Sequence, residues 1–367
     1  MKFSCYKGDL ADALQFAMQA VAVKPMTPIL SGIYLKAEGN RLELHANDNR
    51  NGILTFIPVN TEVAGETVVS GKRFQEFVKN MPDDTITCFT DDNYLTLESG
   101  GASVELLTMH PSDFPKVKAP AADKSFKIRA TTLKDLIRKT AFAVASEKDG
   151  RPIFTGVSFL LANNMISLAA TNTHRLAQAQ ERMFDLPDAK FVVPADTLRG
   201  LMARIDPKDI DNYVTINYST RYLTFSFDNV FMTARLIAGE FPPFDKVIPK
   251  ESTTRATVDL AEFKQAVWLV GLMSKETQYN TVKLSFSNGG VEVSANSNEV
   301  GGAVKNVEAQ IEGDDLDINF NVNYILDVLR VIDSKELNIA LNDKFSPAAF
   351  TEPDNDDFIY VATPVRA

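Results

Sequence analysis

At 367 residues the chain is too long for one ordinary core, so two or three domains are expected. With 45% apolar and 23% charged residues it reads as globular, which excludes disorder and a coiled coil. A formal net charge of −10 excludes a uniformly phosphate-binding surface, because phosphate contacts need clustered Lys and Arg. No apolar run approaches the roughly 20 residues of a membrane helix, and "MKFSCYKGDLADALQ" has no signal-peptide core. Cys5 and Cys88 have no metal-ligand spacing, so free thiols in a reducing cytoplasm are expected.

In chain order, "KFSCY" alternates as a strand and is followed by a helix carrying Leu10, Leu14, Ala17 and Val21 at helical spacing. Strands follow, in the region of "PILSGIYL" and "LELHANDN", then a second helix over Lys72–Asn80. "ASVELL" (Ala102–Leu107) alternates as an edge strand does, and the unit closes with "SDFPKV" around Phe114. A second series opens with "SFKIR" and a helix through Leu133, Leu136, Ile137, Thr140, Ala141 and Val144. It continues with "PIFTGVSF", "ISLAATNT" and a helix over Asp196–Arg204, and closes with "GEFPPF" around Phe241. The third series has "RATVD", a helix with Leu260, Phe263, Val267 and Val270, "NTVKLSF", "VEVSANSN" and a helix over Asn323–Val331.

The three series are copies of one another. An offset of 124 carries Pro28 to Pro152 and Leu42 to Ile166 without a gap, and Ile33, Val157 and Val282 correspond. "TVVSGKRFQEFVKNM", "FVVPADTLRGLMARI" and "INFNVNYILDVLRVI" repeat the second half. A period this long makes each copy a domain rather than a solenoid turn. Proline-containing polar stretches at Lys116–Ser125 and Lys246–Thr254 set the expected boundaries at 1–120, 121–249 and 250–367. The fold class is α+β, with antiparallel sheet on one side of each domain and two amphipathic helices on the other.

The helices are the least acidic part of the chain. Lys72, Arg73 and Lys79 face Glu76; Lys134, Arg138, Lys139 and Lys148 face Asp135 and Glu147; Arg199, Arg204 and Lys208 face Asp196 and Asp206. In the third copy Lys264 and Lys275 balance Asp259 and Glu262. No phosphate-cradling glycine loop, metal motif or nucleophile elbow occurs. The three histidines, His45, His110 and His174, occupy non-equivalent places. Neither a catalytic residue nor a cofactor is expected. A repeated β-rich binding scaffold without DNA is the alternative reading, and an enzyme the third.

Several strings in one order resemble the bacterial sliding clamps, the beta subunits of DNA polymerase III. They are "TPIL" (Thr27–Leu30), "RPIFTGV" (Arg151–Val157), "ATNTHRLA" (Ala170–Ala177), "ARLIAGEFPPFDKVIP" (Ala234–Pro249), "FNVNYILDVL" (Phe320–Leu329) and "YVATPVR" (Tyr360–Arg366). The resemblance covers the whole chain. It implies a non-catalytic processivity factor: a head-to-tail homodimer ring around double-stranded DNA, contacted without regard to sequence. Twelve helices packed about 9–10 Å apart enclose a hole of roughly 25 Å, wide enough for a duplex and its water.

The resemblance also implies residues. Polymerase and clamp-loader subunits dock short linear motifs in a pocket between the second and third domains. Its walls are expected from Arg151, Phe154, Thr171, His174, Arg175 and Leu176 of the second copy, and from Pro242 and Val247 beyond it. Tyr324 and Ser346 join from the third, with Val361, Thr363, Pro364, Val365 and Arg366 at the end. His174 and Arg175 are expected to hold peptide polar groups. The implied DNA lining is Lys24, Lys72, Arg73 and Lys79; Lys134, Arg138, Lys139 and Lys148; and Arg199, Arg204 and Lys264. Val104 and Leu106 on one side, Leu272 and Met273 on the other, match the dimer interface. Relatives usually carry glycine at Thr173 and methionines at Thr363 and Val365, so a smaller, less adaptable pocket is expected.

Overall fold

Period-two alternation and helical spacing resolve into three successive series of the same elements in a computed structural model, which describes residues 1–119, 122, 124–274, 280–297 and 301–366. Lys275, counted above among the helix charges, lies outside the described residues. The first series runs β1 (Lys2–Tyr6), α1 (Lys7–Ala17), β2 (Gly32–Glu38), β3 (Arg41–Asn47), β4 (Asn51–Pro58), β5 (Asn60–Val63), β6 (Gly65–Ser70), α2 (Gly71–Asn80), β7 (Thr85–Asp91), β8 (Tyr94–Ser99) and β9 (Ala102–Met109). The second runs β10 (Lys124–Arg129), α3 (Ala130–Thr140), β11 (Gly156–Ala162), β12 (Met165–Thr171), β13 (Arg175–Arg182), β14 (Ala189–Pro194), α4 (Ala195–Arg204), β15 (Tyr213–Tyr218), β16 (Tyr222–Phe227) and β17 (Val230–Arg235). The third runs β18 (Thr254–Asp259), α5 (Leu260–Ser274), β19 (Thr281–Ser287), β20 (Gly290–Ser297), β21 (Gly301–Val307), β22 (Ala309–Gly313), β23 (Leu316–Asn321), α6 (Val322–Val328), β24 (Glu336–Leu341), β25 (Ala348–Glu352) and β26 (Asn355–Ala362).

Pairing repeats with the sequence. Strands β1-β7-β8-β9, β10-β15-β16-β17 and β18-β24-β25-β26 form one antiparallel set, and β6-β2-β3-β4, β14-β11-β12-β13 and β23-β19-β20-β21 the other. Successive copies join in one way. β4 pairs with β17, Asn51 opposite Ala234, and β13 pairs with β26, Arg175 opposite Ala362. Those two junctions lie in different compact units. One comprises Met1–Lys134 with Asp196–Leu236 and holds a 13-stranded sheet. The other comprises Asp135–Ala195 with the chain from Ile237 onward and holds a nine-stranded and a four-stranded sheet.

The helices bury one stripe each, as their spacing requires. In α2, Phe74 and Val78 are buried while Lys72, Arg73 and Lys79 stay exposed. Each such apolar side chain contributes about 2 kcal/mol on leaving water. Helix α1 ends at Ala17 in a 3₁₀ turn, Met18–Ala20, so Val21 falls outside it. Helix α3 ends at Thr140, where the Ala143 N–H bonds the Thr140 carbonyl at 3.0 Å and tightens the chain; Val144 lies beyond. α6 stops at Val328, short of the expected Val331. Helix α5 departs from the one-stripe rule. Phe263, Ala266, Val267 and Val270 are buried, yet Trp268, Leu269 and Leu272 are exposed on the same helix. Gly271 lets α5 meet α6 closely: an added Cβ would stand 2.8 Å from Val322 Cγ2.

Cys5 and Cys88 are free and buried. Among the described residues no helix is long and apolar enough to cross a membrane, and no cluster of His, Cys, Asp and Glu is arranged to hold a metal ion.

Candidate functional site

The junction of β13 with β26 carries an apolar cavity of about 230 Å³. Its base is a buried cluster that includes Phe154, Leu176, Val192, Phe241 and Val361, with Ile153 and Phe244 packed against it. Phe241 meets both Phe154 and Phe244 edge to face, at 6.1 and 6.2 Å between ring centroids. The open side is framed by Thr171, Thr173, His174, Pro242, Pro243, Val247, Pro347 and Thr363. A concave apolar site with a few polar groups at its rim suits apolar side chains of an extended peptide.

One wall is the turn joining β12 to β13, and its polar residues hold it rigidly. Thr171 Oγ1 accepts from Thr173 N at 3.1 Å and donates to the Arg175 carbonyl at 2.6 Å. Asn172 Oδ1 accepts from both His174 N and Arg175 N at 3.0 Å. Thr363 crosses from the far end of the sequence to fasten the same turn: its N–H and its hydroxyl each donate to the His174 carbonyl at 2.9 Å. The turn holds Thr173 at φ +76°, a left-handed conformation that a β-branched residue rarely adopts.

Of the expected pocket residues, Phe154, Thr171, His174, Arg175, Leu176, Pro242, Val247, Val361 and Thr363 come together around the cavity. Arg151, Tyr324, Ser346, Pro364, Val365 and Arg366 are not among its lining residues. Tyr324 stands behind the wall, its hydroxyl accepting from Asn172 Nδ2 at 3.3 Å. Ser346 donates to Asp343 at 2.7 Å in the turn before Pro347, and Val365 N bonds the Asn319 carbonyl at 2.8 Å. Arg175 needs a correction of role. Its side chain is 9% exposed, donates to Asp327 Oδ2 and to the Phe142 carbonyl, both at 2.6 Å, and lies over the Tyr324 ring at 4.6 Å. A guanidinium so engaged braces the wall from behind and has little left for a peptide. Thr173, expected to narrow the pocket, lies on its rim, while Pro243, Phe244 and Pro347 were missed. Pro243 and Phe244 lie in the "GEFPPF" string, whose two consecutive prolines and second phenylalanine were the available signal.

The expected DNA lining divides into two groups. Lys24, Lys72, Arg73, Lys79, Lys148, Arg199 and Lys264 are exposed, with Arg73 and Arg199 in contact with acids three residues away on their own helices. Lys134, Arg138, Lys139 and Arg204 are corrections. Lys134 Nζ donates to the Ile205 carbonyl at 2.7 Å, at the end of α4. Arg138 binds Asp135 and Asp333, each at 2.5 Å, and the Val331 carbonyl at 2.9 Å. Lys139 is buried, with Nζ 3.4 Å from Asp333, 3.5 Å from Asp135 and 3.7 Å from Glu352. Arg204 lies over the Phe16 ring at 5.3 Å. All four are engaged within the fold: Lys134, Arg138 and Lys139 by carbonyls or acids distant in sequence, and Arg204 by the Phe16 ring.

The expected interface residues are also unequal. Val104 and Met273 are half-buried and Leu272 is 47% exposed, but Leu106 is buried in its own sheet. The apolar surface left open includes Leu107, Trp268 and Leu269.

Known proteins share this arrangement. The DNA polymerase III beta subunit families match in order: N-terminal domain over residues 1–118, central domain over 127–243 and C-terminal domain over 245–366. The beta sliding clamp of Bacillus subtilis is 31% identical over 380 residues, covering 100% of both chains. The crystal structure of a Bacillus subtilis DNA polymerase sliding clamp superposes with a TM-score of 0.90 at 31% identity, covering 100% of this chain and 99% of that one. A sliding clamp from Pseudomonas aeruginosa bound to griselimycin is 27% identical with a TM-score of 0.91, covering 100% of each chain. The chain belongs to the DNA polymerase III beta subunit family, the bacterial sliding clamps.

Proposed function

We propose that two copies of this chain close head to tail into a ring around double-stranded DNA, and that the ring tethers polymerase and clamp-loader subunits. Each of the three repeats acts as a domain (1–120, 121–249 and 250–367) of a cytoplasmic, non-catalytic processivity factor. The β13–β26 cavity takes the short linear motifs of its partners. The exposed cations on the helices supply weak, sequence-independent phosphate contacts, and topology does the rest.

Strand pairing carries this reading. Within the chain the last strand of the β6-β2-β3-β4 set pairs with the last strand of the β10-β15-β16-β17 set of the next repeat, β4 with β17, and β13 pairs with β26 in the same way. Among the described residues the third counterpart, β21, pairs only with β20, and β9 is open along Ala102–Leu107 on the side away from β8. A second copy's β9 is the strand that β21 lacks. The same junction repeated between chains is heterologous and closes after two copies. Leu272 and Met273 beside it supply apolar contact. Sedimentation tests this. The wild type is expected at twice 40.5 kDa, and Leu272→Ala with Met273→Ala as a folded monomer. A double variant that sediments with the wild type refutes the interface.

A further inference from the structure

We infer that Thr173 is a size filter on the peptide cavity, selecting slim aliphatic anchors over aromatic ones; this rests on the proposed peptide site. Thr173 lines the cavity rim, is exposed, and sits at φ +76°. Glycine adopts that conformation freely, and a threonine there carries a strain that glycine removes. The turn cannot rotate to relieve it. Thr171 holds the Thr173 N–H, Asn172 holds the next two N–H groups, and Thr363 holds the His174 carbonyl with two hydrogen bonds. A strained residue persists where its surroundings over-determine it.

The consequence is steric. The branched side chain has few χ1 choices, and its backbone is pinned on both sides, so it cannot swing away from an incoming group. Beside it on the rim, Thr363 is fixed to the same turn through its own hydroxyl. The cavity, about 230 Å³ and lined also by Phe154 and Phe244, therefore has a rim that does not widen at these two residues. An unbranched, flexible side chain at either position would yield to a phenyl ring; two pinned threonines do not.

The test uses two fluorescent peptides, identical except for leucine or phenylalanine at the final anchor position, on the intact dimeric protein. Wild type is expected to bind the leucine peptide about tenfold more tightly. Thr173→Gly is expected to cut that ratio to threefold or less by gaining affinity for the phenylalanine peptide, and to melt at a higher temperature. Thr173→Val keeps the shape without the hydroxyl and is expected to keep the ratio. An unchanged ratio in Thr173→Gly, with both peptides still bound, overturns the filter and leaves the peptide site standing. If neither peptide binds wild type, the peptide site itself falls and the filter with it. A ratio lost equally in Thr173→Val shows recognition by the hydroxyl and likewise overturns a steric role.

Discussion

Lys139 shows how burial reassigns a residue. On sequence it belongs to a basic helix face, two residues from Ile137 and next to Arg138. In the fold its ammonium group is drawn among Asp135, Asp333 and Glu352 and lies 5.7 Å from the Phe358 ring. Two of those acids lie more than 190 residues away, so no local pattern could place them. Replacing Lys139 by glutamate puts a fourth carboxylate into the cluster. Breaking a buried pair this way costs about 3–5 kcal/mol, and Lys139→Met less. Chemical denaturation is expected to show that order, with no gain or loss of DNA contact attributable to the side chain. A Lys139→Glu protein as stable as wild type would return the residue to the DNA-facing group. His45 gives a pH signature. Burial pushes its pKa below the ordinary 6.5, Lys116 and Lys36 add to this, and Glu43 at 3.5 Å opposes it. The unfolded chain therefore binds the proton first, and stability falls as pH drops through 6.5 toward the folded value. Melting measured from pH 7.5 to 5.5 is expected to show that fall, and His45→Gln to flatten it. Equal slopes for both proteins would remove His45 as the cause.

At the scale of elements, the repeat was legible because strand alternation and the 124-residue offset survive divergence; the cavity was legible only in part. Copies one and two build the same junction; β13–β26 carries the apolar cavity, and at β4–β17 Val117 occupies the corresponding place. Gly52, opposite Thr233, is the counterpart of Leu176, opposite Val361. A Cβ at Gly52 would stand 3.1 Å from both Val117 methyl groups, so Val117 fills the space itself. Phe114, stacked on Tyr34 at 5.8 Å, and Asn47 Nδ2, bonded to the Pro115 carbonyl at 3.0 Å, keep that segment in place. Sequence shows "SDFPKV" and "GEFPPF" as relatives; only packing shows that the first lies against its junction and the second borders an open cavity. The segment Thr363–Arg366 is similarly double in function. It forms cavity rim through Thr363 and ties to β23 through Val365. Removing residues from Thr363 onward is expected to weaken the leucine-anchored peptide at least tenfold and also to lower the melting temperature. His174→Ala, exposed and, among the described residues, bonded only through its backbone, is expected to weaken the peptide by about 1–3 kcal/mol with melting unchanged. Leu176→Ala is a poorer probe, since Leu176 is 3% exposed and its loss leaves a core cavity. Unaltered peptide affinity in both the truncation and His174→Ala would place binding elsewhere.

For the whole molecule, net charge and function agree once contact and tethering are separated. In the proposed ring, a surface at −10 overall repels the duplex from outside, and the seven exposed cations expected to line it attract the duplex weakly from within. Phosphate contacts fade as salt rises; a closed ring does not. Composition alone pointed away from DNA, and only the repeat, through the strand edges it leaves unpaired, supplies the ring that reconciles the two. The direct measurement is retention on nicked circular duplex after loading by a bacterial clamp loader, followed in raised salt before and after one restriction cut. The protein is expected to stay on the circle in salt that abolishes ordinary phosphate binding, and to run off once the circle is linear. Equal loss from circular and linear DNA on raising salt would contradict encirclement and leave a scaffold that merely touches DNA.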